Sequence, residues 1–203
     1  MTEKPWHMLN IPEGPFEAYL FDCDGTLVDT MPIHYQGWVH AIKEHGESFH
    51  FPEEMYYELA GIETHELVHI LNERFGVQLD GEALMKLKRT FFRTHMDQIK
   101  PITPVVAFLE FITQTHPVAI VTGGLKEIVH LSLERVGIRH HFEHLVNFED
   151  VEQGKPAPDM FLHAARLLGV APEKCLVFED GEMGIQGAHA AGMRTVFIDR
   201  NLA

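Results

Sequence analysis

Five short runs set the architecture: AYLFD (18–22), VAIVT (118–122), HLVNF (144–148), CLVFE (175–179) and RTVFI (194–198). Each is almost continuous in apolar or β-branched residues, which suits strands of a parallel sheet covered on both faces. Helical periodicity fills most of the intervals: Val105–Thr115, Leu125–Val136 closed by Gly137, Ala157–Leu168 closed by Gly169, and Gly184–Ala191 closed by Gly192. A glycine just past a helix end supplies the left-handed cap. Strand and helix in alternation predict an α/β fold with a doubly wound, Rossmann-like parallel sheet.

One interval breaks the pattern. About 95 residues separate the first two runs, where a crossover needs only a dozen or so, and no convincing strand lies among them. Helical patterns cover Pro32–Glu44, Glu53–Leu59, Thr64–Phe75 and Glu82–Gln98, enough for a small bundle. The chain therefore reads as an α/β core of residues 1–31 and 100–203, with residues 32–99 inserted as a helical-bundle cap domain.

Charge narrows the function classes. Thirty acids against 16 Lys and Arg give a net −14, and the sequence shows no basic cluster, which argues against nucleic-acid binding. No apolar run approaches the ~18 residues of a membrane span, and the N-terminal segment lacks the apolar core of a secretory signal. The two cysteines, Cys23 and Cys175, are placed by the strand pattern at opposite ends of parallel strands, too far apart to bridge. A reducing cytoplasm is the expected home, and no obligate protein partner is implied. Fifteen histidines are scattered; His140, His141 and His144 form the tight group, in a helix-to-strand connection and without a metal role.

Ligands of open α/β sheets bind beyond the carboxyl ends of the strands. The first run ends in Asp22-Cys23-Asp24, the second in Thr122-Gly123-Gly124, and the fourth in Glu179-Asp180-Gly181; the third leads to Gly154-Lys155. On an extended strand residues two apart share a side, so Asp22 and Asp24 would lie together. Two charges about 4 Å apart repel by roughly 4 kcal/mol at an effective dielectric near 20. A cation, a lysine or a retained proton would relieve that; a plain Asp-Gly turn is the alternative.

The segments FDCDGT, IVTGG, GKPAPD and FEDGEMGIQGAHAAG, in this order, resemble the haloacid dehalogenase superfamily, specifically its β-phosphoglucomutase-like and fructose-1-phosphatase-like members with a helical cap. The resemblance implies a Mg²⁺-dependent phosphatase acting on a small phosphorylated metabolite, a sugar monophosphate, through an aspartyl phosphate. It implies Asp22 as nucleophile and Asp24 as general acid and base. Asp22, the Asp24 backbone carbonyl and Asp180 would be metal ligands, with Glu179 binding directly or through water. Thr122, Gly123 and Gly124 would contact phosphate, and Lys155 would bridge phosphate and Asp22. Of the two Phe-Glu-Asp triplets, 148–150 and 178–180, the second would face the metal.

In the cap, His34 and Thr30 match family positions near the general acid and hinge. Gly61 and Thr64 lie in LAGIET (59–64), the substrate-recognition segment. Mutases of the family carry a Lys and an Arg where this chain has Ala60 and Thr64, which disfavours the alternative, a hexose-phosphate mutase. The cap would close over the site.

Overall fold

The computed structural model describes residues 4–59, 62 and 64–202. In chain order the elements begin with strands β1 (Ala18–Phe21) and β2 (Val28–Asp29). Helices α1 (Met31–Glu44), α2 (Glu53–Glu58), α3 (Thr64–Phe75) and α4 (Gly81–Thr94) follow, then strand β3 (Lys100–Pro101). The remainder alternates as α5 (Thr103–Ile112), β4 (Val118–Thr122), α6 (Lys126–Arg135), β5 (His144–Asn147), α7 (Asp159–Leu168), β6 (Cys175–Glu179), α8 (Glu182–Ala190) and β7 (Arg194–Phe197). The chain divides into two compact units, Met1–Asp29 with Lys100–Ala203, and Thr30–Ile99.

In the α/β unit the five longer strands form one parallel sheet in the order β5-β4-β1-β6-β7. The chain winds outward from β1 to β4 and β5, then returns to β6 on the other side. Its direction thus reverses between β1 and β6, where Phe21 pairs with Phe178. Such a switch point leaves a crevice at the strand ends. Ala18 and Leu20 project into a cluster with Val177, Met160, Phe161 and Ala188, contributed by β6, α7 and α8. Tyr19 and Phe21 project oppositely: Tyr19 meets Phe108 of α5 at 5.5 Å, and Phe21 stacks on Phe178 at 4.7 Å. Both faces are covered, as the continuous apolar runs required.

Boundaries shift for local reasons. Helix α5 starts two residues before the expected Val105 because Pro104 lies in its first turn, where a missing N–H costs nothing. The fourth cap helix ends at Thr94, and residues 96–98 form a separate 3-10 turn. Strands β2 and β3, not foreshadowed by any periodicity, pair antiparallel, Val28 with Pro101 and Asp29 with Lys100.

The helical unit packs around buried Trp38, Ile42, Leu67, Leu71 and Leu84, with α1 against α4. Helix α4 opens on Asp80, whose carboxylate accepts from the Glu82 and Ala83 amides at 2.9 and 3.3 Å; such a cap contributes about 1 kcal/mol. One sequence reading fails here. Helical phase gathers Lys86, Arg89 and Arg93 around a single groove, so the chain does carry a basic cluster, spread over eight residues and invisible as a linear run. Among the described residues no helix is long and apolar enough to cross a membrane.

Candidate active site

At the carboxyl end of β1 the extended conformation stops at Phe21. The chain then turns, with the amides of Leu27 and Val28 converging on the Cys23 carbonyl at 2.9 and 3.1 Å. Asp22 and Asp24 are therefore not consecutive outward positions of one strand. The turn expected as the alternative is present, and it also carries the acids: Asp24 remains close enough for its charge to raise the Asp22 pKa.

Lys155, from the loop before α7, donates to Asp22 Oδ1 at 2.7 Å and to both Glu179 oxygens at 3.3 and 3.2 Å. The three side chains are at most one-tenth exposed. Beneath the ammonium lies the ring of Phe161, 5.6 Å to its centroid, an apolar floor that contributes a cation–π contact. Asp180 is held from the β1 turn by Thr26, whose hydroxyl donates to its Oδ1 at 3.1 Å.

Two glycines make this closeness possible. Gly25 has φ +83°, and a Cβ there would stand 2.2 Å from Asp180 Oδ2. A Cβ on Gly184, in α8, would lie 1.8 Å from Glu179 Oε1. The first glycine lets the β1 turn and the β6 end meet. The second gives the Glu179 carboxylate its space.

Across β4, Thr122 is fully buried and its hydroxyl oxygen accepts the Gly124 amide at 3.0 Å. That bond leaves the hydroxyl proton to point elsewhere. A Cβ on Gly123 would meet nothing within 4 Å, whereas one on Gly124 would come 2.9 Å from Val129 and 3.2 Å from Asp24 Oδ2. Gly123 thus faces open space, and Gly124 keeps room for the Asp24 carboxylate. The loop is tied down by Asn147 of β5, buried and donating to the Gly124 carbonyl at 3.3 Å and to Glu149 Oε2 at 3.0 Å.

The electrostatics follow from burial. Desolvation first, and then the charge of Asp22, hold the Glu179 carboxyl well above the usual range. Burial and Asp22 push Asp180 up to about 7, the Thr26 hydrogen bond opposing. Asp22 is raised by burial, with Lys155 pulling the other way. Burial disfavours the Lys155 charge too, but Asp22 and Glu179 outweigh it and hold the ammonium above its ordinary pKa.

One oxygen each of Asp22, Glu179 and Asp180 lie within 4.8 Å of one another, a grouping of three metal-competent side chains among the described residues. Fully ionised, the three carboxylates would exceed the one ammonium by two negative charges, an excess that a cation would balance. An oxygen-only, carboxylate-rich set of this kind fits a hard divalent cation such as Mg²⁺.

Of the residues singled out in the sequence, the α/β unit brings Asp22, Asp24, Lys155, Glu179 and Asp180 to one sheet edge, with Thr122, Gly123 and Gly124 beside Asp24. Thr30, His34 and Thr64 belong to the helical unit. Thr30 is buried before α1, and its carbonyl accepts the His34 amide at 2.9 Å. The His34 ring stacks on Phe92 at 4.6 Å, and Thr64 begins α3. Gly61 lies outside the described residues. The first Phe-Glu-Asp triplet forms a 3-10 turn capped by Asn147.

Thr26, Asn147, Phe161 and Gly184 were not anticipated as site residues. Thr26 sits inside the FDCDGT motif, and Asn147 is a polar residue closing an apolar run; both signals were present. Nothing in the linear sequence separates Phe161 from other core aromatics.

The site is thus an aspartate at a strand end, flanked at the sheet's switch point by further carboxylates and a largely buried lysine. Residues 16–192 match the haloacid dehalogenase-like hydrolases, and the chain belongs to that family. It is similar to the fructose-1-phosphate phosphatase YqaB of Escherichia coli K12, 34% identical over 182 residues that cover 89% of this chain and 95% of that protein. The 6-phosphogluconate phosphatase of the same organism is 30% identical, covering 89% and 81%. Among solved structures, the haloacid dehalogenase-like protein ATU0790 of Agrobacterium tumefaciens C58 superposes with a TM-score of 0.73 at 31% identity, over 89% of this chain and 81% of that one.

Proposed function

We propose that the chain is a Mg²⁺-dependent phosphatase of a small phosphorylated metabolite, a sugar monophosphate, working through an aspartyl phosphate on Asp22. The observation that carries this reading is the Lys155 ammonium, bonded at once to Asp22 and Glu179 in a buried, carboxylate-rich site. The two named E. coli relatives act on a sugar phosphate and a sugar-acid phosphate, which supports the substrate class.

In the first half-reaction an Asp22 carboxylate oxygen forms a bond to phosphorus as the bond from phosphorus to the sugar oxygen breaks. Asp24 gives its proton to that departing oxygen. Water then attacks phosphorus, Asp24 takes the water's proton, and the bond to Asp22 breaks to release phosphate. Lys155 lowers the repulsion between the Asp22 carboxylate and the incoming dianion. The Thr122 hydroxyl and the Gly123 amide donate to phosphoryl oxygens, Gly123 having no side chain in the way. Asp22, the Asp24 carbonyl and Asp180 would hold Mg²⁺, with Glu179 beside them; when bound, the ion neutralises phosphoryl charge and orients the group for in-line transfer.

The test is phosphate release from a panel including fructose 1-phosphate and 6-phosphogluconate, with Mg²⁺ and with a chelator. Activity should require the cation and vanish in Asp22→Asn, whose circular dichroism matches the parent. Substantial turnover by Asp22→Asn would overturn the assignment of the nucleophile.

A further inference from the structure

Lys86, Arg89 and Arg93 stand at positions i, i+3 and i+7 of α4, so one helical face carries all three cations. With His65 of α3, Thr90 and a single acid, Glu82, they line a groove of about 450 Å³ inside the helical unit. That volume is in the range of small-metabolite sites.

The arrangement works against the helix. Like charges one turn apart repel, and the macrodipole rewards cations only near the carboxyl end. This accounts for Arg93, in the last turn, but not for Lys86. Glu82 precedes Lys86 by four residues, the favourable order for a pair, yet the described ion pairs include neither Lys86 nor Arg89. The chain as a whole, at −14, repels anions at long range. Gathering its scarce cations in one concave place creates local attraction for an anion.

We propose that this groove binds the anionic group, phosphate or carboxylate, of a small metabolite, as a site of the helical unit in its own right. The planar guanidinium forks of Arg89 and Arg93 match either oxyanion with paired N–H donors, and Lys86 adds a point charge. The site does not depend on the chemistry assigned to Asp22.

Titrating the full chain carrying Asp22→Asn with inorganic phosphate, gluconate and 6-phosphogluconate tests it, read from the side-chain Nε–H resonances of Arg89 and Arg93. Saturable shifts are expected, weakened at least tenfold by Lys86→Gln with Arg89→Gln, at unchanged circular dichroism and melting temperature. Arg89→Lys keeps the charge but loses the fork, and should weaken binding less; it serves equally if the double variant misfolds. Equal affinities for the three probes would assign a lone oxyanion. At least tenfold tighter binding of 6-phosphogluconate would assign a metabolite with two anionic groups. No saturable shift with any probe, or affinities untouched by the substitutions, would overturn the proposal. Loss of phosphatase activity alone would leave it standing, because the readout is binding.

Discussion

Residues 148–150 and 178–180 are the same tripeptide, Phe-Glu-Asp, each at the carboxyl end of a parallel strand. On β6, between β1 and β7, the strand continues through Glu179 and holds Phe178 fully buried against Phe21. On β5, at the sheet edge, the strand stops at Asn147; the triplet curls into a 3-10 turn, and Phe148 is 41% exposed. The carboxylates diverge accordingly. Asp180, half-buried beside Asp22, is pushed up to about 7. Burial also pushes Asp150 upward, but its hydrogen bonds from Lys126 and the Asn147 amide outweigh this and hold it below the ordinary value. Identical residues thus form a charged centre in one place and a turn in the other, and the strand's place in the sheet decides which.

The widest gap between the two copies should appear in turnover. Asp180→Asn removes a carboxylate from the charged centre, and phosphate release should fall by roughly 100-fold or more, the scale of losing one preorganised electrostatic group. Asp150→Asn should change it less than about twofold, since surface positions couple weakly. Steady-state kinetics of the two variants side by side would break the comparison if the losses were alike.

A smaller contrast concerns the neighbouring glycines. In Gly184→Ala the new methyl would meet Glu179 Oε1 at 1.8 Å, whereas in Gly154→Ala it would sit 3.6 Å from the Phe148 Cβ, an ordinary contact. The first should destabilise by about 1–3 kcal/mol, as overpacking does, and turn Glu179 away from Lys155. The second should stay within about 0.5 kcal/mol. Urea unfolding of both variants measures the difference.

The smallest effect is a pair of opposed pH slopes in metal-free protein. Asp180 has a folded pKa raised from 3.8 to about 7, so between those values the folded state binds more protons than the unfolded. Its contribution to stability is whole below pH 3.8 and is lost as pH rises through 7. Asp150 is lowered instead; its contribution is present above the unfolded value of 3.8 and is lost as pH falls through its folded pKa. Unfolding free energies at pH 5 and 7 should therefore fall across the interval in the parent and fall less in Asp180→Asn. Asp150→Asn should keep the parent's slope there. Saturating Mg²⁺ should flatten the Asp180 contribution.

Much of the α/β unit was legible because β1, β4, β5, β6 and β7 are buried on both faces, and a double burial writes itself as an unbroken apolar run. The strand-end acids were legible for the complementary reason that charge seldom closes such a run without a use, whereas Lys155, in a loop beyond the third run, was marked only by the resemblance of GKPAPD. What escaped depended on contacts between distant residues or on helical phase. Gly184 looks like any helical glycine until Glu179 is seen against it, and the two-residue pairing of β2 and β3 is too short to show a period. The cations of α4 sum to a cluster only when every third or fourth residue is read together. Whether Asp22 and Asp24 continue one strand or enter an Asp-Gly turn is left open by the sequence; the chain turns at Cys23, because hydrogen bonds of a turn compete successfully with extension once the strand ends.

The short ladder of Val28–Asp29 with Lys100–Pro101 has a consequence for how such a chain can change. It fastens the outgoing and returning connections side by side within the α/β unit, so the sheet's registration is complete before residue 30 and resumes at residue 100 without reference to what lies between. The intervening segment is in effect a cassette: lengthening it, replacing it or trading it for another bundle need not disturb the strand ends where the carboxylates meet.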